Sequence, residues 1–207
     1  MSVPKDGEAT MQTFTIILAV LTILGTVGTF YFGARSMKLE RLKNALTWKE
    51  VESGSLDLMK KAEAKFKPDI LLMTSGPGAI VASLAMIQTR RFFPIYTAIL
   101  EDKRSAPFQC QPKGHIKLST RKWVVHLPEQ LRNETHKRIL VMDDCVISGD
   151  VQTAICEFLE ENGFPKKNIF FATLVCSQIA IDTNKAPDLH WYTNPHKDLF
   201  FPWGKWF

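Results

Sequence analysis

Residues 138–151 constrain the fold of this chain more than any other segment. An apolar strand pattern ends in two adjacent carboxylates, Asp143 and Asp144, and a turn at Ser148 and Gly149 precedes a new helical pattern. In open α/β sheets, ligands bind beyond the carboxyl ends of the strands. The segment therefore predicts an α/β sheet with polar groups placed at one strand end.

The rest of the chain alternates short apolar runs with helical patterns. Thr47 and Glu50 have the spacing of a capping box, so we expect a helix to begin there and to be interrupted or restarted near Gly54 and Ser55. Residues 101–122 are polar and predict a long loop or hairpin. The alternation predicts an α/β fold with a mostly parallel sheet flanked by helices. Strands are expected over residues 69–74, 93–100, 122–127, 138–142, 168–176 and 189–193, and helices over 56–66, 79–88 and 151–161.

Residues 11–34 contain no charged side chain. A helix needs about 20 apolar residues to cross the hydrocarbon core, so this run is long enough. A signal peptide or a buried core helix is the alternative, but the preceding flank carries Asp6 and Glu8 and the run exceeds a signal sequence in length. We therefore expect a short non-cytoplasmic tail over 1–10, one transmembrane helix over 11–34, a juxtamembrane linker over 35–46 and a folded domain over 47–207.

The flanking charges predict the orientation of this segment. Four basic residues follow the apolar run, opposed only by Glu40: Arg35, Lys38, Arg41 and Lys43. The positive-inside rule then places the C-terminal domain in the cytoplasm of a single-pass membrane protein. The four cysteines show no metal-ligand spacing and are typical of thiols in a reducing compartment.

Composition limits the classes of partner. Charged residues make up 23% of the chain and the net charge is +5, which argues against wholesale disorder and does not indicate a nucleic-acid partner.

Gly25, Thr29 and Gly33 recur every four residues and would permit close helix packing in a homodimer. Glycine is also common in membrane helices, so both interpretations stay open.

The acid pair and the Ser-Gly turn suit a sugar phosphate. Backbone N–H groups at a helix start form an anion site, and carboxylates can hold sugar hydroxyls or a hydrated Mg²⁺. Asp143 and Asp144 would then bind the hydroxyls, and the amides of Ser148 and Gly149 the phosphate. A solvated turn after a strand is the alternative.

This segment resembles the phosphoribosyl pyrophosphate (PRPP) motif of type I phosphoribosyltransferases. Three further segments resemble the xanthine/hypoxanthine-guanine branch of that family. Thr47–Glu50 resembles the opening of its domain, and the strand followed by Ser-Gly-Pro-Gly at 75–78 resembles its pyrophosphate loop. Phe201-Pro202-Trp203 resembles its C-terminal ending. Order and spacing agree from about residue 45 to the end.

The resemblance implies a phosphoribosyltransferase-like domain that binds PRPP or a nucleotide with Mg²⁺, and a nucleobase that displaces pyrophosphate from the ribose. It also implies a mobile loop within residues 101–122, with Lys103 and Arg104 among its pyrophosphate contacts. The implied phosphate site is Asp143, Asp144, Cys145, Val146, Ile147, Ser148, Gly149, Asp150 and Val151, with Asp143 and Asp144 on the metal. The implied pyrophosphate loop is Thr74, Ser75, Gly76, Pro77 and Gly78, and the base-stacking residues are Phe200, Phe201 and Trp203.

The chain departs from the family pattern at four places, and the phosphate cradle, with Asp150 and Val151, is one of them. Ile147 stands where purine enzymes carry an acid and cannot accept a proton. Asp150 adds a negative charge. Its carboxylate would repel the phosphate if it faces the site, or would complement the helix dipole if it points outward from the first turn of the helix. The other departures are Gly76 or Pro77 in place of an arginine, Val151 in place of a hydroxyl donor, and Cys176 or Ser177 in place of a base-reading lysine. An active transferase, a catalytically inactive sensor or effector coupled to the anchor, and an interaction scaffold all stay open.

Overall fold

A computed structural model describes residues 45–74, 76–104, 112–195 and 199–205, together with 22, 26–27, 29–33 and 35–36. The chain divides into two compact units, Met1–Ala45 and Leu46–Phe207, and each is taken by itself below.

The N-terminal unit contains the predicted membrane segment, most of which lies outside the described residues, as do the predicted tail and most of the linker. The residues that are described within 11–34 are helical. Among them, the Thr26 hydroxyl donates to the Thr22 carbonyl oxygen at 2.6 Å, which is how threonine is accommodated in an apolar helix. Within the described part of the chain, no helix is both long and apolar enough to cross a bilayer.

The C-terminal unit contains a mixed sheet of seven strands in the order β3-β4-β2-β1-β5-β6-β7, and a separate two-stranded hairpin. The strands are β1 (Ile70–Thr74), β2 (Ile95–Asp102), β3 (His115–Ser119), β4 (Trp123–Pro128), β5 (Ile139–Val146), β6 (Ile169–Ser177), β7 (Leu189–Asn194), β8 (Phe200–Phe201) and β9 (Gly204–Lys205). The helices are α1 (Trp48–Lys65), α2 (Pro77–Thr89), α3 (Asp150–Glu161) and α4 (Gln178–Asp182), with short 3₁₀ turns at Glu129–Asn133 and Lys166–Asn168.

Parallel pairing dominates the sheet, as predicted. β1 pairs in parallel with both β2 and β5, and β6 continues the parallel run between β5 and β7. The antiparallel strands β4 and β3 extend the sheet beyond β2 and make it mixed. Because the chain leaves β1 for β2 on one side and reaches β5 on the other, the carboxyl end of β1 is a topological switch point, where ligands of α/β proteins bind.

Two apolar cores lie on opposite faces of this sheet. Successive side chains of a strand point to opposite faces, so Leu140 and Met142 of β5 pack under α1 and α2. Ile139 and Val141 pack against α3 instead. Both faces of β5 are buried, which explains why its sequence is a continuous apolar run.

Helix α1 begins as the sequence predicts. The Thr47 side chain accepts a hydrogen bond from the Glu50 N–H, and the Glu50 carboxylate accepts one from the Thr47 N–H at 2.7 Å, which completes the capping box. The expected interruption near Gly54 and Ser55 is wrong, because α1 runs through both residues. Gly54 lies against the sheet: a Cβ there would be 2.5 Å from Leu174 and 2.7 Å from the Trp191 ring. Glycine at this position therefore allows α1 to pack closely on the sheet.

Two boundaries also differ from the predictions. Strand β5 passes through the acid pair and ends at Val146, because pairing with β6 continues to Val146 and Cys176. Within the predicted loop at 101–122, the described residues include the end of β2 and all of β3, so the hairpin alternative describes this region better.

We expect Gly54→Ala to lower the free energy of unfolding of the protein by roughly 1–3 kcal/mol, because the added methyl group overpacks the α1–sheet interface at the rigid Trp191 ring. This loss should exceed the gain of about 1 kcal/mol in helix propensity. Urea unfolding measures it. Glu52→Ala, at an exposed position of the same helix, is the matched control and should change stability by less than about 0.5 kcal/mol. An unchanged midpoint for Gly54→Ala would contradict this packing role.

Candidate functional site

The site is built around a contact between two neighbouring strand ends. Met73 and Met142 are register partners in the parallel β1–β5 pair, so the next residues, Thr74 and Asp143, lie side by side. The Thr74 hydroxyl donates to Asp143 Oδ1 at 2.5 Å, and the Asp144 N–H donates to the same oxygen at 2.9 Å. Asp143 is 6% exposed. These two bonds hold the carboxylate of Asp143 in one orientation at the carboxyl edge of the sheet.

Gly78 lets helix α2 approach this contact. A Cβ at Gly78 would lie 1.9 Å from Thr74 Oγ1 and 3.0 Å from Asp143 Oδ1, so a side chain at this position would displace the hydroxyl. The helix begins after Gly76, whose φ of 67° is a conformation that glycine adopts readily. The Ser-Gly-Pro-Gly sequence thus provides a tight turn and a close helix start beside the buried carboxylate.

The Ser148–Gly149 turn starts helix α3. Gly149 is the N-cap with a φ of 75°, and the Thr153 N–H donates to its carbonyl oxygen at 2.8 Å. The N–H groups of Ser148 and Gly149 donate to no other residue in the described part of the chain. Because the first N–H groups of a helix have no partner within it, this turn presents a set of donors that suits an anion.

Ser177 fixes the position of this turn. Its hydroxyl donates to the Ile147 carbonyl oxygen at 2.5 Å and accepts a hydrogen bond from the Ala180 N–H at 3.1 Å, as the N-cap of α4. From the sequence, Ser177 is expected only as a replacement for a base-reading lysine. Its contact with Ile147 joins residues that are 30 positions apart, and the sequence carries no local signal for it.

Both aspartates of the pair have raised pKa values. Burial raises the pKa of Asp143, and hydrogen bonds from Thr74 and Asp144 oppose that effect. The pKa of Asp144 lies well above its ordinary value, first because of burial and second because of the negative charge of Asp143. The pair therefore favours holding a proton or a cation between its carboxylates.

One pocket of about 300 Å³ collects most of the predicted residues. All nine residues of the predicted phosphate site line it, from Asp143 to Val151, and so do Gly76 and Pro77 of the predicted pyrophosphate loop. Its wall also includes Leu100, Trp123 and Gln152, which the sequence analysis did not single out. Trp123 starts β4 opposite Asp102 at the end of β2, and this antiparallel register brings it to the site.

Other predicted residues lie elsewhere. The rings of Phe201 and Trp203 stack with their centroids 4.8 Å apart, and the centroid of the Trp203 ring lies 5.7 Å from that of Trp48 at the start of α1. The Phe200 carbonyl oxygen accepts a hydrogen bond from the Leu46 N–H. These three aromatic residues belong to the β8–β9 segment beside α1 and do not line the pocket. Thr74 and Gly78 lie behind the acid pair, and Ser75 is outside the described residues.

The first two basic residues of the 101–122 segment are engaged in local contacts. The Arg104 side chain forms an ion pair with Asp102 at 2.6 Å and lowers the pKa of Asp102 to about 2. The Lys103 ammonium group donates to the Thr120 carbonyl oxygen. Neither residue lines the pocket.

The fold is that of the purine phosphoribosyltransferases. The structure superimposes on a purine phosphoribosyltransferase from Pyrococcus horikoshii Ot3 with a TM-score of 0.57 and 21% sequence identity, covering 78% of this chain and 94% of that protein. It is likewise similar to a xanthine-guanine-hypoxanthine phosphoribosyltransferase from Helicobacter pylori, with a TM-score of 0.52 and 20% identity over 78% of this chain and 93% of that protein.

Sequence comparison adds no further relative, because no protein-family model and no curated protein match the chain. At 20–21% identity, the two structural similarities establish the fold. They support the resemblance to type I phosphoribosyltransferases that the motifs indicated.

The raised pKa of Asp144 predicts a stabilising substitution. A carboxyl group whose pKa is higher in the folded state than in the unfolded state destabilises the fold when it ionises. This cost appears as the pH rises above the pKa of the unfolded state, near 3.8, and it is complete once the pH exceeds the pKa of the folded state. We expect Asp144→Asn to increase the free energy of unfolding at pH 7 by on the order of 1 kcal/mol, the usual scale of a single substitution, because the amide carries no charge that burial beside Asp143 opposes. Urea titrations between pH 4 and pH 8 measure this.

The gain should shrink toward acidic pH, where the native Asp144 is protonated and its penalty is absent. Asp57→Asn, at an ion pair on the surface of α1, is the matched control. An Asp144→Asn protein that is less stable than the native protein at pH 7 would contradict the burial argument.

Proposed function

We propose that residues 47–207 form a phosphoribosyltransferase-like domain that binds PRPP, or a nucleoside 5′-phosphate, together with Mg²⁺. The observation that carries this proposal is that Asp143 and Asp144 line one pocket together with Ser148 and Gly149 at the start of α3. The phosphoribosyltransferase fold supports it.

The two groups suit the two ends of a ribose 5-phosphate. The amides at the start of α3 provide donors for a phosphate dianion, and the positive end of the helix dipole favours the same charge. The carboxylates at the end of β5 accept hydrogen bonds from ribose hydroxyls. Apolar side chains of the pocket wall, including Leu100 and Trp123, would cover the sugar and exclude water.

The acid pair also fits a magnesium ion that the ligand helps to bind. Mg²⁺ commonly takes one or two carboxylates and completes its shell with waters and substrate oxygens. Asp143 Oδ1 is committed to Thr74 and to the Asp144 N–H, so the other oxygens of the pair would hold the ion. Among the described residues, no cluster of three or more acidic, histidine or cysteine side chains could hold a metal without a ligand. The ion would neutralise the charge that develops on a leaving pyrophosphate.

The reaction that this site would support is transfer of the phosphoribosyl group to a nucleobase. A base nitrogen bonds to C1 of the ribose, the bond from C1 to pyrophosphate breaks, and the proton released by the base passes to water or to the departing pyrophosphate. Both structural neighbours are named as purine enzymes, and this supports a purine as the acceptor. Such catalysis depends on positioning and charge placement.

A second candidate function is a catalytically inactive sensor or signalling effector of PRPP or nucleotide. The observation that favours it is Ile147, which lines the pocket and packs against the apolar core under α1 and α2. Its side chain cannot accept a proton from an incoming base. A domain with this wall keeps the ligand contacts and lacks one catalytic group.

Membrane attachment belongs to the same proposal. The uncharged run at 11–34 and the basic residues after it support a single-pass anchor with the domain in the cytoplasm. Salvage of a soluble base does not require such an anchor, and ligand sensing at a membrane gives it a purpose. A homodimer through the anchor is compatible with the small residues at positions 25, 29 and 33.

Calorimetric titration with PRPP and Mg²⁺ tests the binding proposal. We expect saturable binding to the native protein and at least tenfold weaker binding to Asp143→Asn and Asp144→Asn, because a hydrogen bond to a charged group contributes about 1.5–3 kcal/mol. Asp57→Asn is the matched control: it lies on α1 and does not line the pocket, so this variant should bind PRPP like the native protein. No heat with PRPP or with any nucleoside 5′-phosphate would refute the proposed function, and equal affinity in both variants would refute the site.

A pyrophosphate-release assay over a panel of bases separates the transferase from the sensor. We expect Ile147→Asp to raise release with purines at least tenfold, since general base catalysis contributes about 10²–10⁴-fold when the group is well positioned. Ile147→Asn is the matched control, with similar size and no ionisable group. Release by the native protein supports the transferase, and binding without release from any base supports the sensor.

A further inference from the structure

The pocket carries an excess of negative charge. Three aspartates line it, Asp143, Asp144 and Asp150, and none of its described lining residues is basic. Magnesium would offset the first two. Asp150 is the first residue of α3, directly after Gly149, so its carboxylate lies beside the turn that would take the phosphate. An uncompensated charge there would repel a phosphate dianion.

Lys185 supplies the opposing charge from another part of the chain. Its ammonium group donates to Asp150 Oδ1 at 2.9 Å, across 35 positions of sequence. Both side chains are part-exposed, Lys185 at 42% and Asp150 at 32%. The Lys185 ammonium holds the pKa of Asp150 below its ordinary value, and Arg121 adds a smaller effect. Asp150 is therefore ionised and paired at neutral pH.

The backbone holds Lys185 against the phosphate turn. A Cβ at Gly149 would lie 2.5 Å from Lys185 Cβ and 2.7 Å from the Lys185 carbonyl oxygen, so the two backbones are in direct contact. The Lys185 N–H donates to the Ala180 carbonyl oxygen at 2.8 Å at the end of α4. The next residue, Ala186, accepts a hydrogen bond from the Gln152 side chain at 3.3 Å. These contacts place the base of the lysine side chain beside α3.

We propose that Lys185 is a positioning residue of the phosphate site: by pairing with Asp150 it cancels the charge of that carboxylate and lets the Ser148–Gly149 turn accept a phosphate dianion. This inference rests on the proposed function, since it concerns the same turn. It assigns Lys185 an electrostatic role through Asp150, because the ammonium group is engaged by that carboxylate. It also accounts for an acid at a position where an anion site would otherwise exclude one.

Binding of ribose 5-phosphate to four proteins tests the inference: the native protein, Lys185→Gln, Asp150→Asn and the double variant. We expect Lys185→Gln to weaken binding about tenfold, the change that corresponds to 1.4 kcal/mol of repulsion. In the Asp150→Asn background, the same lysine substitution should change affinity less than about threefold, because no charge is left to cancel. Lys167→Gln, at an exposed lysine of a 3₁₀ turn, is the matched control.

Each outcome has a defined meaning. Native affinity in Lys185→Gln overturns the inference, and so does a tenfold loss that persists in the Asp150→Asn background, since that pattern indicates direct phosphate contact or a structural role. Urea unfolding of all four proteins confirms that they are folded. The absence of ribose 5-phosphate and PRPP binding in the native protein overturns the proposed function itself, and the inference with it, which distinguishes the two failures.

Discussion

The hydrogen bond from Thr74 to Asp143 is the contact on which the arrangement of the site depends. It joins the carboxyl ends of β1 and β5 at the switch point of the sheet, and Gly78 brings the start of α2 against the same pair of atoms. Desolvation of a carboxylate opposes folding unless hydrogen bonds compensate it. The bonds from Thr74 and from the Asp144 N–H offset part of that cost, and both aspartates line the pocket.

Charge is the second constraint on this site. Burial raises the pKa values of Asp143 and Asp144, and the charge of Asp143 raises that of Asp144 further, so the ionised pair opposes folding at neutral pH. Shifted pKa values of this kind are frequent at functional sites. The third carboxylate of the pocket is that of Asp150 at the start of α3, and it forms an ion pair with Lys185.

Local patterns predicted most of the fold because they depend on neighbours in sequence. The capping box at Thr47 and Glu50, the helix after Gly149 and the buried run of β5 all follow from spacing and side-chain type. The failures have a common cause. Gly54 indicates a helix break by its propensity, but its packing against Trp191 decides the outcome. Strand β5 continues past the acid pair because β6 is beside it, and no local signal reports the length of a partner strand.

The sequence by itself determined that the chain is an α/β protein with an uncharged run before its folded domain, and that Asp143, Asp144, Ser148 and Gly149 belong to one strand–turn–helix segment. The tertiary structure alone decided which distant residues complete the site. Trp123, Ser177 and Lys185 reach it through strand register and through loop packing, and the aromatic residues Phe201 and Trp203 pack beside α1 instead. The physical reason is that period and capping depend on residues a few positions apart, whereas contacts across 30 or more positions are set by which strands pair and how closely their connections pack.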